Sequence, residues 1–270
     1  MAERDLSERD PLEDFEPREI TLNGTRKLTF VAGSGPAVIV MTEMPGISPY
    51  VGRFARFVRD AGFTVWMPNL FGDPGRPISI GYGVKEIAKA CVSREFRAFA
   101  SNESSPVTQW LRALAAHAHP LCGGKGVGAI GMCFTGNFAL SMMLEPAMLA
   151  PVLSQPSLPF FNGAGMHISP EELRAVRARL DEEDLTVLAY RFEGYPFCKA
   201  ARFAAYEQAL GDRFKGRVLP DSAAAPGTPM RPHSVVTLHL IDREGEPTRK
   251  AVDEILEFFG TRLRDGSCEA

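Results

Sequence analysis

The sequence lacks any long hydrophobic run, and its cysteines are few and scattered. No apolar run approaches the roughly 20 residues that a transmembrane helix needs, and Met1–Asp5 does not resemble a secretory signal. The cysteines are odd in number and form no CxxC pair, which argues against a disulfide framework and against a zinc site. They predict a reducing compartment, and we expect a cytoplasmic protein. The five are Cys91, Cys122, Cys133, Cys198 and Cys268.

The sequence also lacks a strong excess of charge. A formal net charge of -3 gives no reason to expect nucleic acid or an anionic membrane surface as a partner. With 270 residues the chain can form one large α/β domain or two small ones. We find no internal repeat and no convincing linker, so we expect a single domain over residues 18–270. Residues 1–17 are charged and poor in large apolar groups, which predicts a mobile tail.

Apolar runs and helical patterns alternate along most of the chain. A hairpin is expected first, because Asn23-Gly24 separates two apolar segments and supplies the positive φ of a tight turn. Alternating strands and helices then predict right-handed crossovers and an α/β fold, with a mostly parallel, doubly wound sheet and helices on both faces. Strands are predicted at 37–41, 63–68, 127–132, 151–154, 185–192 and 215–219. Helices are predicted over 50–61, 84–99, 106–119, 134–144, 199–210 and 252–263, and from Ser169 onward.

One segment leaves two interpretations open. Val235–Ile241 has the composition of a strand. It follows a Pro- and Ala-rich loop, residues 220–232, so it could equally be a packed segment after a site loop.

The stretch Gly131-Met132-Cys133-Phe134-Thr135-Gly136 lies between a predicted buried strand and a predicted helix. Glycines on both sides of Cys133 permit a sharp strand-to-helix turn, in which the backbones approach too closely for a Cβ. Such a turn lifts the thiol out of the sheet at a helix N-terminus, where the dipole and the backbone N–H groups favour the thiolate. The pattern is that of a nucleophile elbow with Cys in place of Ser. A small buried Cys in a Gly-rich turn is the structural alternative.

A thiol nucleophile needs a base, and the chain has only five histidines. His117 and His119 belong to a predicted helix ahead of the elbow, His167 precedes a helix, and His239 lies in an apolar run, which favours structural or solvent-exposed roles. His233 instead follows the last predicted strand in a Gly/Pro-rich loop. That position, C-terminal to the nucleophile, is where α/β-hydrolases place the base.

At these residues the sequence resembles the dienelactone hydrolase family, from about Leu28 to Leu263. The resemblance implies an α/β-hydrolase fold, a Cys–His–Asp triad and hydrolysis of small esters or lactones without a metal or an organic cofactor. It is carried by Gly131–Gly136, by the strand that ends at Glu43, by Ala61–Pro68 and by His233-Ser234.

The resemblance also implies the roles of the individual residues. Cys133 would be the nucleophile and His233 the general base and acid. Glu43 would match a family glutamate that pairs with the thiol and helps to ionise it when substrate arrives. The backbone N–H groups of Phe134 and Met44 would form the oxyanion hole.

The sequence departs from the family at the acid of the triad. The family's Asp lies in a turn after the penultimate strand, and Tyr195 stands there in this chain. Three arrangements remain open: Glu193 reaches His233 with its longer side chain, Tyr195 orients the imidazole through its phenol, or the site is a Cys–His dyad. Asp184 precedes the strand, at the end of the sheet away from the site.

A second departure concerns the substrate. Family members that act on anionic lactones bind the substrate carboxylate with arginines, but position 237 is Thr237 here. Arg94 and Arg97 lie in a region that should line the site, and Arg94 is the candidate for substrate binding. Phe71, Phe134, Tyr195 and Phe197 suggest an apolar pocket, although such residues are more often part of the core.

These observations favour a hydrolase that cleaves a small ester or lactone through an acyl-Cys133 intermediate, as a monomer or dimer. The alternative is a catalytically impaired member that binds a small ligand, and the missing Asp supports it. A redox-reactive Cys133 ranks last, because the sequence identifies no resolving cysteine.

Overall fold

A computed structural model describes residues 5–93, 95–96, 104–160, 162–228 and 230–265. Its strands form a single eight-stranded sheet in the order β1-β2-β4-β3-β5-β6-β7-β8. The pairs β1–β2 and β2–β4 are antiparallel, and the remaining neighbours are parallel. The strands are β1 (Glu16–Leu22), β2 (Thr25–Ala32), β3 (Ala37–Met41), β4 (Thr64–Pro68), β5 (Val127–Met132), β6 (Met148–Ser154), β7 (Val187–Phe192) and β8 (Phe214–Leu219).

Helices cover both faces of the sheet, which confirms the predicted α/β-hydrolase architecture. Alternate residues of β3 point to opposite cores: Ile39 packs among the residues of one core, and Val38 packs in the other. The first core is shared with α3 to α6 and the second with α1 and α7. The helices are α1 (Pro49–Asp60), α2 (Ile80–Val92), α3 (Val107–Cys122), α4 (Phe138–Met142), α5 (Pro170–Glu182), α6 (Ala200–Leu210) and α7 (Pro247–Leu263).

The predicted hairpin forms as expected. Asn23 and Gly24 connect β1 to β2 with φ of 50° and 73°. The predicted helix 84–99 differs, because α2 already begins at Ile80 and ends at Val92. Part of the remainder lies outside the described residues.

The segment before β1 contacts the sheet domain. Leu12 and Phe15 are buried, and Arg56 of α1 makes ion pairs with Asp10 and Asp14. Burial opposes ionisation of Asp14, but hydrogen bonds from Arg56 and Arg59 lower the pKa of its carboxyl group below the usual range. The sequence prediction of a mobile tail did not anticipate these contacts, since short-range composition does not reveal a partner 42 residues away.

Residues 235–241 are not a strand. They form turns, and every residue from Val235 to Leu240 is buried. Arg53 of α1 donates a hydrogen bond to the Thr237 carbonyl oxygen, which holds the segment over the carboxyl edge of the sheet. The second of the two sequence interpretations, a packed segment after the site loop, is therefore the observed one. No helix in the described part of the chain is long and apolar enough to cross a membrane.

Candidate active site

Cys133 occupies a strained turn directly after β5. Its φ is +53°, a left-handed conformation that a residue with a Cβ rarely adopts. The flanking glycines are required by close approach: a Cβ on Gly131 would lie 2.2 Å from the Thr135 carbonyl oxygen, and one on Gly136 would lie 2.5 Å from the Pro156 Cα. The predicted elbow is thus present, and it places the thiol at the carboxyl edge of the sheet.

The helix after the elbow is shorter than predicted. Residues Cys133–Thr135 form a single 3-10 turn, and α4 begins only at Phe138 and comprises five residues. The Asn137 side chain instead bonds outward, donating to the His167 carbonyl oxygen at 2.5 Å and accepting from the Tyr206 hydroxyl. A short, interrupted helix offers less dipole support for a thiolate than the continuous helix that the sequence predicted.

The Cys133 thiol contacts two hydroxyl groups. Its sulfur lies 3.5 Å from the Tyr195 phenol oxygen and 3.4 Å from the Ser157 hydroxyl oxygen, and these two oxygens are 3.0 Å apart. The sequence analysis missed Ser157. It follows β6, the parallel neighbour of the elbow strand, and this topology is the signal that could have identified it.

The surroundings of the thiol keep it protonated. Burial raises the pKa of Cys133, and the negative charge of Glu43 raises it further. Hydrogen bonds from Ser157, Tyr195 and the Phe134 N–H act in the opposite direction without reversing the shift. The Phe134 N–H of the turn thus favours the thiolate as expected, but burial and Glu43 outweigh it.

Glu43 is a buried carboxylate that neutral donors surround. Its oxygens accept hydrogen bonds from the Ser234 hydroxyl at 2.7 Å, the Thr237 hydroxyl at 2.5 Å and the Gln155 amide at 3.3 Å. Among the described contacts it has no cationic partner and no hydrogen bond to Cys133. Thr237, at the position where the sequence comparison expected Arg, thus binds Glu43.

His233 lies beside Tyr195, and a backbone oxygen orients it. Its ring stacks on the Tyr195 ring with centroids 5.2 Å apart and an interplanar angle of 23°. Its Nδ1 lies 2.8 Å from the Arg231 carbonyl oxygen, which requires a proton on Nδ1 and leaves Nε2 as the acceptor. No hydrogen bond between His233 and Cys133 occurs among the described residues.

His239 is structural, as the sequence analysis favoured. It is fully buried, and its Nδ1 accepts the backbone N–H groups of His233 and Ser234 at 3.4 and 3.3 Å. Nε2 lies 2.9 Å from the Thr228 hydroxyl. Burial, with a smaller contribution from His233, lowers the pKa of His239 to about 4, so a neutral imidazole holds the loop that carries His233.

Neither acid candidate bonds to the imidazole nitrogens. Glu193 is exposed, and the Tyr195 hydroxyl contacts Cys133 and Ser157. The carboxylate at this turn belongs to Asp221, just beyond β8, which accepts a hydrogen bond from the Gly194 N–H at 2.9 Å. Asp221 lies 27 residues from Gly194 in sequence, so the residues of the turn alone do not reveal it.

The predicted oxyanion donors stand at neighbouring strand ends. Met44 follows β3 and Phe134 follows β5, and these strands are parallel neighbours. The Phe134 N–H points to the Cys133 sulfur. Arg94, the predicted substrate-binding residue, lies outside the described residues, as does Arg97.

The matched family agrees with the sequence resemblance. Residues 28–157 match the model of the dienelactone hydrolase family. This region belongs to the dienelactone hydrolase family. It contains Glu43, Met44, Cys133, Phe134 and Ser157, whereas His233 and Tyr195 lie beyond it. No match to the sequence was found among curated proteins.

Solved structures of dienelactone hydrolases and esterases share the fold. A dienelactone hydrolase-like promiscuous phosphotriesterase from metagenomic libraries is 16% identical, with a TM-score of 0.64, over 93% of this chain and 99% of its own. A dienelactone hydrolase from Anabaena variabilis is 14% identical, with a TM-score of 0.55, over 93% and 100%. An esterase from Pyrococcus furiosus is 15% identical, with a TM-score of 0.54, over 96% and 98%. At these identities the likeness establishes the α/β-hydrolase fold.

Proposed function

We propose that this dienelactone hydrolase relative cleaves a small carboxylic ester or lactone through an acyl-Cys133 intermediate, with His233 as the base. The proposal depends above all on one observation. Cys133 is a partly buried residue on a strained turn at the carboxyl edge of the sheet, and the nearby imidazole has its Nδ1 bonded and its Nε2 left to accept a proton. Catalytic hydrogen bonds often form only when substrate binds, so a resting site without a sulfur–imidazole bond is compatible with this role.

Acylation would proceed by transfer of the thiol proton to His233 Nε2 while sulfur attacks the ester carbonyl carbon. The carbonyl π electrons move to oxygen, and the N–H groups of Phe134 and Met44 would stabilise the oxyanion. Collapse of the tetrahedral intermediate breaks the bond from carbon to the alcohol oxygen. The leaving alkoxide takes the proton from His233, and a thioester remains on Cys133.

Deacylation would use the same base. His233 Nε2 accepts a proton from water as the water oxygen attacks the thioester carbonyl, and collapse of the second intermediate breaks the carbon–sulfur bond. The thiolate recovers its proton from the imidazolium, and the carboxylic acid leaves.

The backbone carbonyl of Arg231 would take over one task of the missing triad acid. It fixes the Nδ1–H tautomer of His233, as a carboxylate does in a complete triad. A neutral carbonyl stabilises the imidazolium less than a carboxylate does. The site is therefore proposed to be a Cys–His dyad with slow turnover, in which neither Glu193 nor Tyr195 serves as the triad acid.

The second candidate is a catalytically impaired member that binds a small ligand. The raised pKa of the thiol and the absence of a described bond between Cys133 and His233 favour it.

A reactive thiol requires reduced cysteine in either case. The four described cysteines are free, which supports the proposal of a reducing, cytoplasmic location.

A burst assay with p-nitrophenyl acetate, followed by intact mass, tests the proposal. We expect one equivalent of p-nitrophenol in a burst, an acetyl adduct on Cys133 and slow release of acetate. Cys133→Ala should abolish both while circular dichroism stays unchanged. His233→Ala should slow deacylation by a factor on the order of 10³. No adduct in the wild-type chain would overturn the proposal in favour of the ligand-binding candidate.

A further inference from the structure

Four aromatic side chains form a continuous series of contacts that starts at the tyrosine whose hydroxyl contacts the nucleophile. The Tyr195 hydroxyl contacts the Cys133 sulfur at 3.5 Å, and the Tyr195 ring meets Phe197 with centroids 5.9 Å apart. Phe197 packs edge-on against Phe160 at 5.5 Å. Phe160 packs against Phe134 at 5.9 Å, and Phe134 is the residue after Cys133. We call these four residues, Tyr195, Phe197, Phe160 and Phe134, the aromatic cluster.

The aromatic cluster is not simply part of the core. Phe134 and Tyr195 are buried, but Phe160 is only partly buried and Phe197 is 43% exposed. Exposure of a large aromatic side chain costs hydrophobic free energy unless a ligand or partner covers it. Phe197 contacts Tyr195, whose hydroxyl contacts the Cys133 sulfur, and Phe160 contacts Phe197, so a bound substrate is the group placed to cover them.

The charges at the site disfavour an anionic substrate. The buried Glu43 carboxylate accepts hydrogen bonds from neutral groups, and one of them is Thr237, which stands where the resemblance places an arginine for anionic lactones. Two buried arginines near the aromatic cluster already donate hydrogen bonds to backbone carbonyls: Arg202 to four of them and Arg191 to two. Among the described residues, Arg231 is the exposed arginine on the loop of His233, and it is the cation to test.

We propose that the site is specific for neutral esters with an aromatic or bulky apolar acyl group. The acyl group remains attached to the Cys133 sulfur through both half-reactions, so it is the part of the substrate that stays beside the aromatic cluster longest. Each methylene-sized apolar contact gives about 10- to 200-fold discrimination in an apolar site. This inference rests on the proposed esterase function and adds its substrate class.

The test compares p-nitrophenyl esters that differ only in the acyl group. Acetate, butyrate and 3-phenylpropanoate form the apolar series, and hydrogen glutarate with its methyl ester forms a matched pair of charged and neutral acyl groups. We expect kcat/KM to rise at least about tenfold from acetate to 3-phenylpropanoate. The neutral glutarate should be cleaved at least about tenfold faster than the charged one, because position 237 offers the carboxylate a threonine and not an arginine, and burial of an unpaired charge is unfavourable.

Two variants and a control test whether the preference for apolar acyl groups comes from the aromatic cluster. Phe197→Ala and Phe160→Ala should each reduce the ratio of the 3-phenylpropanoate rate to the acetate rate by about fivefold or more. Leu121→Ala removes another exposed apolar side chain, 62% exposed at the end of α3, and should leave the ratio unchanged. Arg231→Ala should not change the ratio between the charged and neutral glutarate esters.

The outcomes separate the substrate class from the chemistry. Acylation of Cys133 by all esters at similar rates, or faster cleavage of the charged glutarate, would overturn the substrate class and leave the esterase proposal standing. A preference that survives both Phe197→Ala and Phe160→Ala would also overturn it. Failure of every ester to acylate Cys133 would instead overturn the proposed function itself.

Discussion

At the scale of single residues, the pKa of Cys133 results from contributions of opposite sign. Burial and Glu43 raise the pKa of its thiol, whereas the hydroxyls of Ser157 and Tyr195 and the Phe134 N–H lower it. The sequence predicts that Cys133 is the nucleophile, which stays a prediction, and that its thiol is ionised. The family resemblance placed Glu43 beside the thiol as a group that helps to ionise it, whereas here its negative charge raises the pKa of the thiol.

Two substitutions should move the thiol pKa in opposite directions. Glu43→Gln removes a negative charge and should lower the pKa of Cys133, so alkylation of Cys133 by iodoacetamide should accelerate at lower pH. Ser157→Ala removes a hydrogen bond that favours the thiolate and should raise the pKa. Peptide mass spectrometry of the Cys133 peptide across pH measures both, with Glu257→Gln, a surface change, as the control. Shifts of the same sign would contradict this account of the site.

His239 makes the folded state sensitive to acid. Its pKa in the folded chain is about 4, below the value of roughly 6.5 for an unfolded histidine. The unfolded chain therefore binds the proton more readily, and this contribution to stability is present above pH about 6.5 and is lost as pH falls toward about 4.

Replacement of this histidine should remove part of the acid sensitivity. His239→Asn keeps a side-chain acceptor near the N–H groups of His233 and Ser234 but cannot be protonated in this range. We expect the variant to lose less Tm than the wild-type chain between pH 7 and pH 4.5. His119→Asn, on the polar end of α3, serves as the control. Equal losses in the wild-type and His239→Asn chains would show that His239 does not titrate as proposed.

At the scale of elements, one buried cation connects the two loops that contact the thiol. Arg202 of α6 is fully buried and donates to the carbonyl oxygens of Pro156 at 2.9 Å, Pro159 at 2.7 Å and Phe197 at 3.1 Å. The loop after β6 carries Ser157, and the loop after β7 carries Tyr195. Arg202 is therefore a positioning residue, and the sequence offered no signal for it beyond a basic residue in a helix.

Arg202→Met should leave these buried carbonyls without donors. We expect a loss of unfolding free energy on the order of 3 kcal/mol in urea and a lower rate of Cys133 acylation. Arg213→Met removes ion pairs with Asp181 and Asp184, which lie on the surface, and should cost less than about 1 kcal/mol. Equal losses in the two variants would refute a special role for Arg202. Arg202→Lys, which keeps the charge but not the planar set of donors, should recover only part of the stability.

At the scale of the whole molecule, one sheet joins every strand. The antiparallel strands β1 and β2 extend the parallel part through β4, and both cores use side chains from the same strands. This arrangement supports the prediction of a single domain over residues 18–270. The predicted monomer or dimer state stays a prediction.

Unfolding should reflect this continuity. We expect far-ultraviolet circular dichroism and tryptophan fluorescence to give the same urea midpoint, because Trp66 in β4 and Trp110 in α3 belong to a core that spans the sheet. Two resolved transitions, with fluorescence following only one, would indicate two independently folding units. Gel filtration at several concentrations, run beside the unfolding measurements, excludes dissociation as the cause of a second transition.

The sequence by itself determined the local elements and the turn that carries Cys133. Alternating apolar runs predict a parallel sheet because each strand must be covered on both faces, and Gly131 and Gly136 around Cys133 predict a turn that only residues without a Cβ can form. These signals are short-range. The resemblance already named Glu43 and Tyr195, but the tertiary structure alone revealed Ser157 and the contacts of all three, which follow three other strands. Hydrogen bonds and burial among distant segments set the pKa of the thiol and the orientation of His233, and no local pattern records them.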